Sequence, residues 1–197
     1  MNKRRARITV EWILAVVLLV VYIKVDYSAY GSFQARQAHE QSERSYHYGP
    51  SEIVREIDFD NVKIYLGTYK QWFSANTVIK RGLRWYPGGG VGGTQIDPSE
   101  QVNYHWSVSQ INDRLRLALW NGYVSDPTIT TVTMEVEVNE KTGSAASHDS
   151  SKKEVWEQPI IDDSMFVFVW NEEETAYSVK YLRGLDKDGK VVYEKAF

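Results

Sequence analysis

Residues 102–120 read VNYHWSVSQINDRLRLALW, and this stretch decides the fold class. Its first seven residues alternate apolar side chains with Asn, His and Ser, and its last seven alternate leucine with arginine before ending in an apolar pair. Successive side chains of a strand point to opposite faces, so each run has one dry and one wet face. The stretch therefore predicts two half-buried β-strands rather than a helix.

The same alternation continues on both sides of this stretch. It is present in VKIYLGTYKQWF (62–73) and in TVTMEVEV (131–138), whereas YSVKYL (177–182) and KVVYEKAF (190–197) flank the turn residues 186–189. MFVFVW (165–170) is apolar on both faces and predicts a central strand covered on both sides. About eight strands at short spacing predict a mainly β fold, an antiparallel β-sandwich that is Ig-like or related. SEIVREI (51–57) predicts one short helix before them.

The chain begins with the pattern of a membrane anchor. NKRRAR (2–7) precedes an apolar run from Ile8 to Ile23, and polar residues follow. A basic flank is retained in the cytoplasm. We expect one transmembrane signal-anchor helix at residues about 8–25, with the N-terminus cytoplasmic and the rest extracytoplasmic at the cell membrane. A cleaved signal peptide and a buried core helix are the alternatives.

Three regions follow from this pattern: a head and anchor (1–26), a polar linker (27–50) and an extracytoplasmic β domain (51–197). In the linker, His39 and His47 are predicted to be solvated. After residue 26 the chain has 18 basic and 24 acidic residues, a net charge of −6. An acidic body argues against a nucleic-acid partner.

The motifs that could hold a cofactor or a metal are incomplete. GGGVGG (88–93) contains a dinucleotide-like glycine spacing, but Pro98 prevents the helix that such a site needs. Asp186, Asp188 and Gly189 resemble the start of a calcium loop, but the glycine comes too early, which favours a β-turn. The chain has no cysteine for thiolate ligands. We therefore predict no cofactor and no metal.

Aromatic residues are the remaining candidates for a site. The chain has seven Trp, six of them after residue 26. Trp85 and Tyr86 adjoin the glycine-rich loop, and Trp120 and Tyr123 adjoin a predicted turn. Exposed rings at such positions stack on sugars or capture a partner, whereas the alternative is ordinary packing within the sheets.

The organisation resembles that of short uncharacterised envelope proteins of Gram-positive bacteria, which have one N-terminal anchor and a small extracytoplasmic β domain. The resemblance is carried by the basic head with its apolar run, by GYVSDPTITTVTMEV (122–136) and by YLRGLDKDGKVVYE (181–194). It implies no functional residues. The expected function is a non-catalytic interaction or sensing domain that binds an envelope protein. A module that binds cell-wall glycan is the alternative, and a small hydrolase is less favoured.

Overall fold

The protein is mainly β, with antiparallel sheets that follow an N-terminal helix. The computed structural model describes residues 3–29, 31–89, 92–139 and 152–197. The helices are α1 (Lys3–Ala29) and α2 (Ala35–Ser45). The strands are β1 (Glu52–Phe59), β2 (Val62–Tyr69), β3 (Trp72–Arg81), β4 (Arg84–Pro87), β5 (Thr94–Gln95), β6 (Val102–Asn112), β7 (Leu115–Val124), β8 (Thr131–Asn139), β9 (Lys153–Pro159), β10 (Met165–Asn171), β11 (Ala176–Leu185) and β12 (Val191–Ala196).

These strands form three sheets, where a two-sheet sandwich was predicted. The first sheet has the order β1-β2-β3-β4, with β5 also paired to β3. The central sheet has the order β10-β7-β6, and the third sheet has the order β12-β11-β8-β9. The two-sheet prediction is wrong because the central sheet is apolar on both faces and each face is covered by a different sheet.

The two larger hydrophobic cores lie on the two faces of the central sheet, and a small third cluster of Ala38, Tyr65 and Val78 lies between α2 and the first sheet. Leu115, Leu117 and Leu119 belong to a core shared with the first sheet. Ala118 and Trp120, one position out of phase on the same strand, belong to a core shared with the third sheet. β10 divides in the same way, with Met165 and Val167 in one core and Phe166, Phe168 and Trp170 in the other. The prediction that MFVFVW forms a strand covered on both sides is confirmed.

The short helix predicted at residues 51–57 is wrong, because this segment is part of β1. Its exposure alternates residue by residue, with Ile53, Arg55, Ile57 and Phe59 on the more buried side. Because the charged Arg55 lies on the more buried side, the apolar residues of this segment do not alternate regularly with the polar ones. Arg55 is accommodated there because it binds Asp163, in the turn before β10, bidentately, with Nη2 at 2.6 Å from Oδ2.

The predicted solvated linker contains a helix that packs on the domain. α2 contacts β3 and β4, and it buries Ala38, His39, Ser42 and Glu43. The prediction that His39 is solvated is wrong, since its side chain is 2% exposed, whereas His47 is exposed. Hydropathy did not reveal this contact because the buried face of α2 is polar, and the first sheet supplies its hydrogen-bond partners.

The side chains of residues 8–22 in α1 are all exposed, including the large apolar ones. They form no part of the hydrophobic cores described above. In the part of the chain that the structure describes, no helix is long and apolar enough to cross a membrane. The span expected at residues 8–25 is therefore not established by the fold.

The surroundings of the two predicted loop motifs differ from those of the sites they resemble. Residues 90 and 91 of the glycine-rich stretch lie outside the described residues, and the short strand β5 follows at Thr94 rather than a helix. The Asp186 carboxylate accepts hydrogen bonds at 2.9 Å from the backbone N–H of Asp188 and of Lys190, and Gly189 has a φ of 78°. The prediction of a β-turn at this position is confirmed.

Candidate ligand pocket

Three aromatic rings line up across β6 and β7 of the central sheet. The register places Trp106 directly opposite Trp120, and their ring centroids are 6.1 Å apart at an interplanar angle of 28°. The ring of Tyr104 stacks on Trp120 at 5.7 Å and 20°. Tyr104, Trp106 and Trp120 share one face of the sheet because cross-strand partners lie on the same side and residues two apart do too.

These rings border a pocket of about 320 Å³ between the central and third sheets. The residues that line it are mostly aromatic, and they come from β6, β7, β10 and β11, from the turn after β10 and from the residue after β12: Trp106, Trp120, Trp170, Glu172, Tyr177, Ser178, Val179 and Phe197. We call this the aromatic pocket. Its volume falls in the range of small-molecule sites, about 300–1,000 Å³.

The walls of the aromatic pocket differ in exposure. Trp106 is 53% exposed, whereas Trp120 is 5% exposed and forms the floor. The ring of Phe197 meets Trp120 edge-on at 4.9 Å and Tyr104 at 5.4 Å. Tyr177 meets the ring of Trp170 at 6.1 Å and 87°. A ligand with a flat apolar face can therefore contact Trp106 without displacing any core side chain.

A few polar groups border this apolar surface. Glu172 Oε1 accepts a hydrogen bond from Trp170 Nε1 at 3.2 Å. The Ser178 hydroxyl and the side-chain amide of Asn139 exchange hydrogen bonds at 3.0 and 3.1 Å. The indole N–H of Trp120 is buried without a hydrogen-bond partner among the described residues. Buried indole N–H groups usually have a partner, so this donor is an exception in the central sheet.

The structure does not bring the four predicted aromatic residues to one surface. Trp120 lies in the aromatic pocket, but Tyr123 faces the other core and stacks on Phe73 at 6.5 Å. Residues three apart on a strand point to opposite sides, which separates this pair. Trp85 and Tyr86 are half-buried on β4, at the side of the first sheet that contacts α2.

Of the lining residues, the sequence reasoning found only Trp120; it missed four aromatic ones, Trp106, Trp170, Tyr177 and Phe197, and also Glu172, Ser178 and Val179. The period-two pattern placed Trp106 on a dry face, and this signal could have suggested it. Nothing in the sequence indicated that β10 and β11 supply the opposite wall, because these strands belong to two different sheets.

A second group of functional side chains lies buried beneath α2. Asn76 Nδ2 lies 2.8 Å from His39 Nδ1, and Glu43 Oε1 lies 3.3 Å from His39 Nε2. The Ser51 hydroxyl donates to Glu43, and its backbone N–H donates to the same carboxylate at 3.2 Å. With the Asn76 amide donating to Nδ1, the proton is on Nε2 and points to Glu43. The ring of Tyr65 stacks on His39 at 4.6 Å, and burial raises the pKa of this tyrosine to about 12.

This arrangement resembles a serine–histidine–carboxylate set but has the wrong connectivity for nucleophilic catalysis. Such a set needs the carboxylate on one ring nitrogen and the serine on the other. Here Ser51 and Glu43 both approach Nε2 of His39. The group therefore fixes α2 and the 46–51 turn on the first sheet, which is a structural role.

Burial lowers the pKa of His39 from its ordinary value of 6.5. The carboxylates of Glu43, Glu40 and Glu56 oppose this shift and Arg36 reinforces it, but desolvation of the imidazolium is the largest cause. His39 is accordingly neutral in the folded protein near pH 7. In the described residues, no group of three or more His, Asp or Glu side chains is arranged to hold a metal ion.

Residues 32–197 match the family described as Domain of unknown function (DUF5044). The chain belongs to this family. No curated protein and no solved structure matches the chain. The family domain begins at Ser32, so it includes α2 and the buried cluster beneath it as well as the three sheets.

Proposed function

We propose that this protein is a non-catalytic binding domain, anchored by α1 in the cell membrane with its N-terminus cytoplasmic, and that its ligand occupies the aromatic pocket. The observation that carries the proposal is the pocket itself, where the half-exposed ring of Trp106 lies beside the buried ring of Trp120. Rings of this kind provide large contact areas at a low cost in side-chain entropy.

The proposed anchor is supported by the apolar surface of α1. The exposed side chains of residues 8–22 are mostly Val, Leu and Ile. Burial of apolar surface is worth about 25 cal/mol per Å², so a helix with this surface is far more stable in lipid than in water. The basic residues before Ile8 favour retention of that end in the cytoplasm.

The proposal of a non-catalytic domain is supported by the connectivity of the buried cluster. Both ring nitrogens of His39 have partners, since Nδ1 faces the Asn76 amide and Nε2 faces Ser51 and Glu43. Of the two histidines that the sequence offers as a base, His105 is exposed on β6 and His148 lies outside the described residues. The small hydrolase considered from the sequence thus has little support.

A second candidate, a module that binds cell-wall glycan, is favoured by the clustering of rings. Sugars stack their C–H faces on indole rings, and their hydroxyls donate to carboxylates. The aromatic pocket offers the face of Trp106 and the carboxylate of Glu172 within one cavity. An envelope protein that binds the same pocket would use an aromatic or aliphatic side chain as its anchor.

One pair of variants tests the pocket against both kinds of ligand. Trp106→Ala removes the exposed ring, and Tyr46→Ala removes an exposed ring just after α2 as a matched control. We expect the full chain in mild detergent to co-sediment with purified cell wall and Trp106→Ala to lose this binding, while Tyr46→Ala keeps it. Crosslinking to one membrane protein that depends on Trp106 would favour the protein partner instead. Equal binding of both variants to every partner contradicts the proposal.

The anchor is tested separately by fractionation of cells. We expect the full chain to remain in the membrane pellet after alkaline extraction, with residues 31–197 accessible to protease added outside. Release into the alkaline supernatant would refute the anchor, and protection from protease in intact cells would refute the orientation.

A further inference from the structure

We propose that the tip of the β3–β4 hairpin, residues 80–84, contacts the bilayer surface and binds anionic lipid headgroups, so that the domain is held in one orientation on the membrane. We call these five residues, Lys80-Arg81-Gly82-Leu83-Arg84, the hairpin tip. This inference rests on the proposed anchoring by α1.

The chain attaches α1 directly to this hairpin. α1 ends at Ala29. Ser32 N–H donates to the carbonyl of Trp85 at 2.7 Å, and Trp85 N–H donates to the carbonyl of Ser32 at 2.6 Å. The chain from Ala29 to Ser32 spans at most about 11 Å, and bridged partners lie about 5 Å apart, so Trp85 lies within about 16 Å of the end of α1 in any orientation of the helix.

Gly31 and Ser32, which follow α1, pack directly against β4. Gly31 has a φ of 96°, and a Cβ added there would come within 3.0 Å of the Trp85 carbonyl oxygen and of the Tyr86 ring. Gly31 and Ser32 are buried, whereas Phe33 beside them is exposed. The β4 side of the first sheet is thus the part of the domain that is tied to the proposed anchor.

The tether between the embedded part and the hairpin tip measures at most about 29 Å, so it permits the tip to turn toward the headgroups. If the lipid-embedded part ends near residue 25, the helical residues up to Ala29 add about 6 Å. Leu83 lies two residues beyond Trp85, which adds about 7 Å along the strand. The headgroup layer is about 5–8 Å thick on each side, and charges act over a Debye length of about 8 Å at physiological salt.

The hairpin tip has the chemistry of a membrane contact. Leu83 is 83% exposed at the turn, which Gly82 allows with a φ of 61°. Lys80 and Arg81 are exposed beside it. An exposed apolar side chain among cations suits the interface, because the apolar group enters the acyl boundary while the cations remain at the phosphates.

Aromatic rings hold these cations at the hairpin. Lys80 Nζ lies 5.7 Å from the centroid of the Trp85 ring, and Arg81 lies 5.7 Å from that of Tyr86. Arg84 lies 5.5 Å from the ring of the exposed Phe33. Tryptophan and tyrosine are the residues enriched at headgroup depth, so this side of the domain combines both kinds of interfacial residue.

The distribution of charge selects anionic lipid. Residues 61–96 contain five basic residues and no acidic one, although the whole chain has a net charge of −3. An anionic surface therefore attracts the hairpin side and repels the rest of the domain. A basic side chain near such a surface strengthens binding by about fivefold.

The test uses the absence of cysteine from the chain, which makes each introduced cysteine a unique labelling site. The full chain is reconstituted into vesicles of phosphatidylcholine, with or without phosphatidylglycerol, and labelled with an environment-sensitive fluorophore at Leu83→Cys. Asp188→Cys labels the β11–β12 turn as a control, and Val17→Cys reports whether α1 is in the bilayer. Brominated lipids quench labels that touch the acyl chains.

We expect the labels at 83 and 17 to be quenched and the label at 188 to remain unquenched. Quenching at 83 increases with phosphatidylglycerol, and Lys80→Gln combined with Arg81→Gln lowers the bound-to-free ratio of the tip by more than tenfold. Tryptophan fluorescence confirms that each variant is folded.

Two results would overturn the inference, and they are distinguishable. If the label at 83 is as solvent-exposed as the label at 188 while the label at 17 is quenched, α1 anchors the protein but the hairpin tip does not touch lipid. If the label at 17 is not quenched, the proposed anchor fails and the inference fails with it. Protection of the label at 83 only when another membrane protein is added would assign the hairpin tip to a protein partner and refute the lipid contact.

Discussion

Replacing Gly122 with alanine places a methyl group at the most crowded point of the central sheet. Gly122 lies on β7 opposite Phe166 of β10 and Tyr104 of β6. An added Cβ would come within 3.0 Å of the Phe166 ring and of the Asn103 carbonyl oxygen, a separation that real Cβ atoms essentially never show. The oxygen belongs to the backbone of β6 and cannot move without displacing that strand.

The expected cost is at the upper end of the range for overpacking, which is about 1–3 kcal/mol. One contact is with a fully buried ring and the other is with the backbone, so neither is relieved by a flexible side chain. We therefore expect Gly122→Ala to lower the free energy of unfolding by about 3 kcal/mol. With a urea dependence of about 2 kcal/mol per M, the unfolding midpoint of Gly122→Ala falls by about 1.5 M.

The assay is urea unfolding of the full chain in mild detergent, followed by tryptophan emission. Gly92→Ala is the matched control, because an added Cβ there meets nothing within 4 Å. Its midpoint should differ from that of the parent chain by less than about 0.3 M. If Gly122→Ala unfolds at the same urea concentration as Gly92→Ala, the close approach of β6 and β10 at this position is refuted.

Three further predictions use the same unfolding assay. Asp163→Asn removes one partner of the largely buried ion pair with Arg55 and should lower the free energy of unfolding by about 2–3 kcal/mol. Lys152→Gln, which breaks an exposed ion pair, should change it by less than about 0.5 kcal/mol. Effects of similar size would argue against a stabilising role for the buried pair. Burial lowers the pKa of His39, so below the ordinary histidine pKa of 6.5 the unfolded chain binds more protons than the folded chain. The contribution of neutral His39 to the free energy of unfolding is therefore fully present above pH 6.5. Below that pH it falls by at most about 1.4 kcal/mol per pH unit. His39→Gln should therefore lose less stability than the parent between about pH 8 and about pH 5, and parallel pH profiles would contradict this explanation. Trp106→Ala should lower the free energy of unfolding by about 1 kcal/mol or less, since the ring is half exposed, and a larger loss would place Trp106 in the core rather than in a binding wall.

The predictable part of the fold came from local periodicity. Alternating side chains at 115–119 and at 131–138 indicated strands, because a strand with one solvent-facing side places apolar and polar residues at every second position. The run at 165–170 also indicated its own environment, since apolar side chains on both faces of a strand require a cover on each side.

Periodicity could not indicate which sheet covers which face. The leucines of β7 and the aromatic residues between them go to different cores, and only the pairing of distant strands separates them. The packing of α2 on the first sheet was missed for a related reason. Its buried residues include His39, Ser42 and Glu43, and polar groups become compatible with burial only when partners such as Asn76 and Ser51 are in place.

The sequence by itself determined the β class, the doubly covered strand and an abundance of aromatic residues. The tertiary structure alone decided that Trp106 meets Trp120 across two strands, that Trp170 and Tyr177 close the same cavity, and that Tyr123 is excluded from it. The physical reason is that composition and spacing report which side chains avoid water, whereas a pocket depends on register and on contacts between sheets, which join residues far apart in the chain.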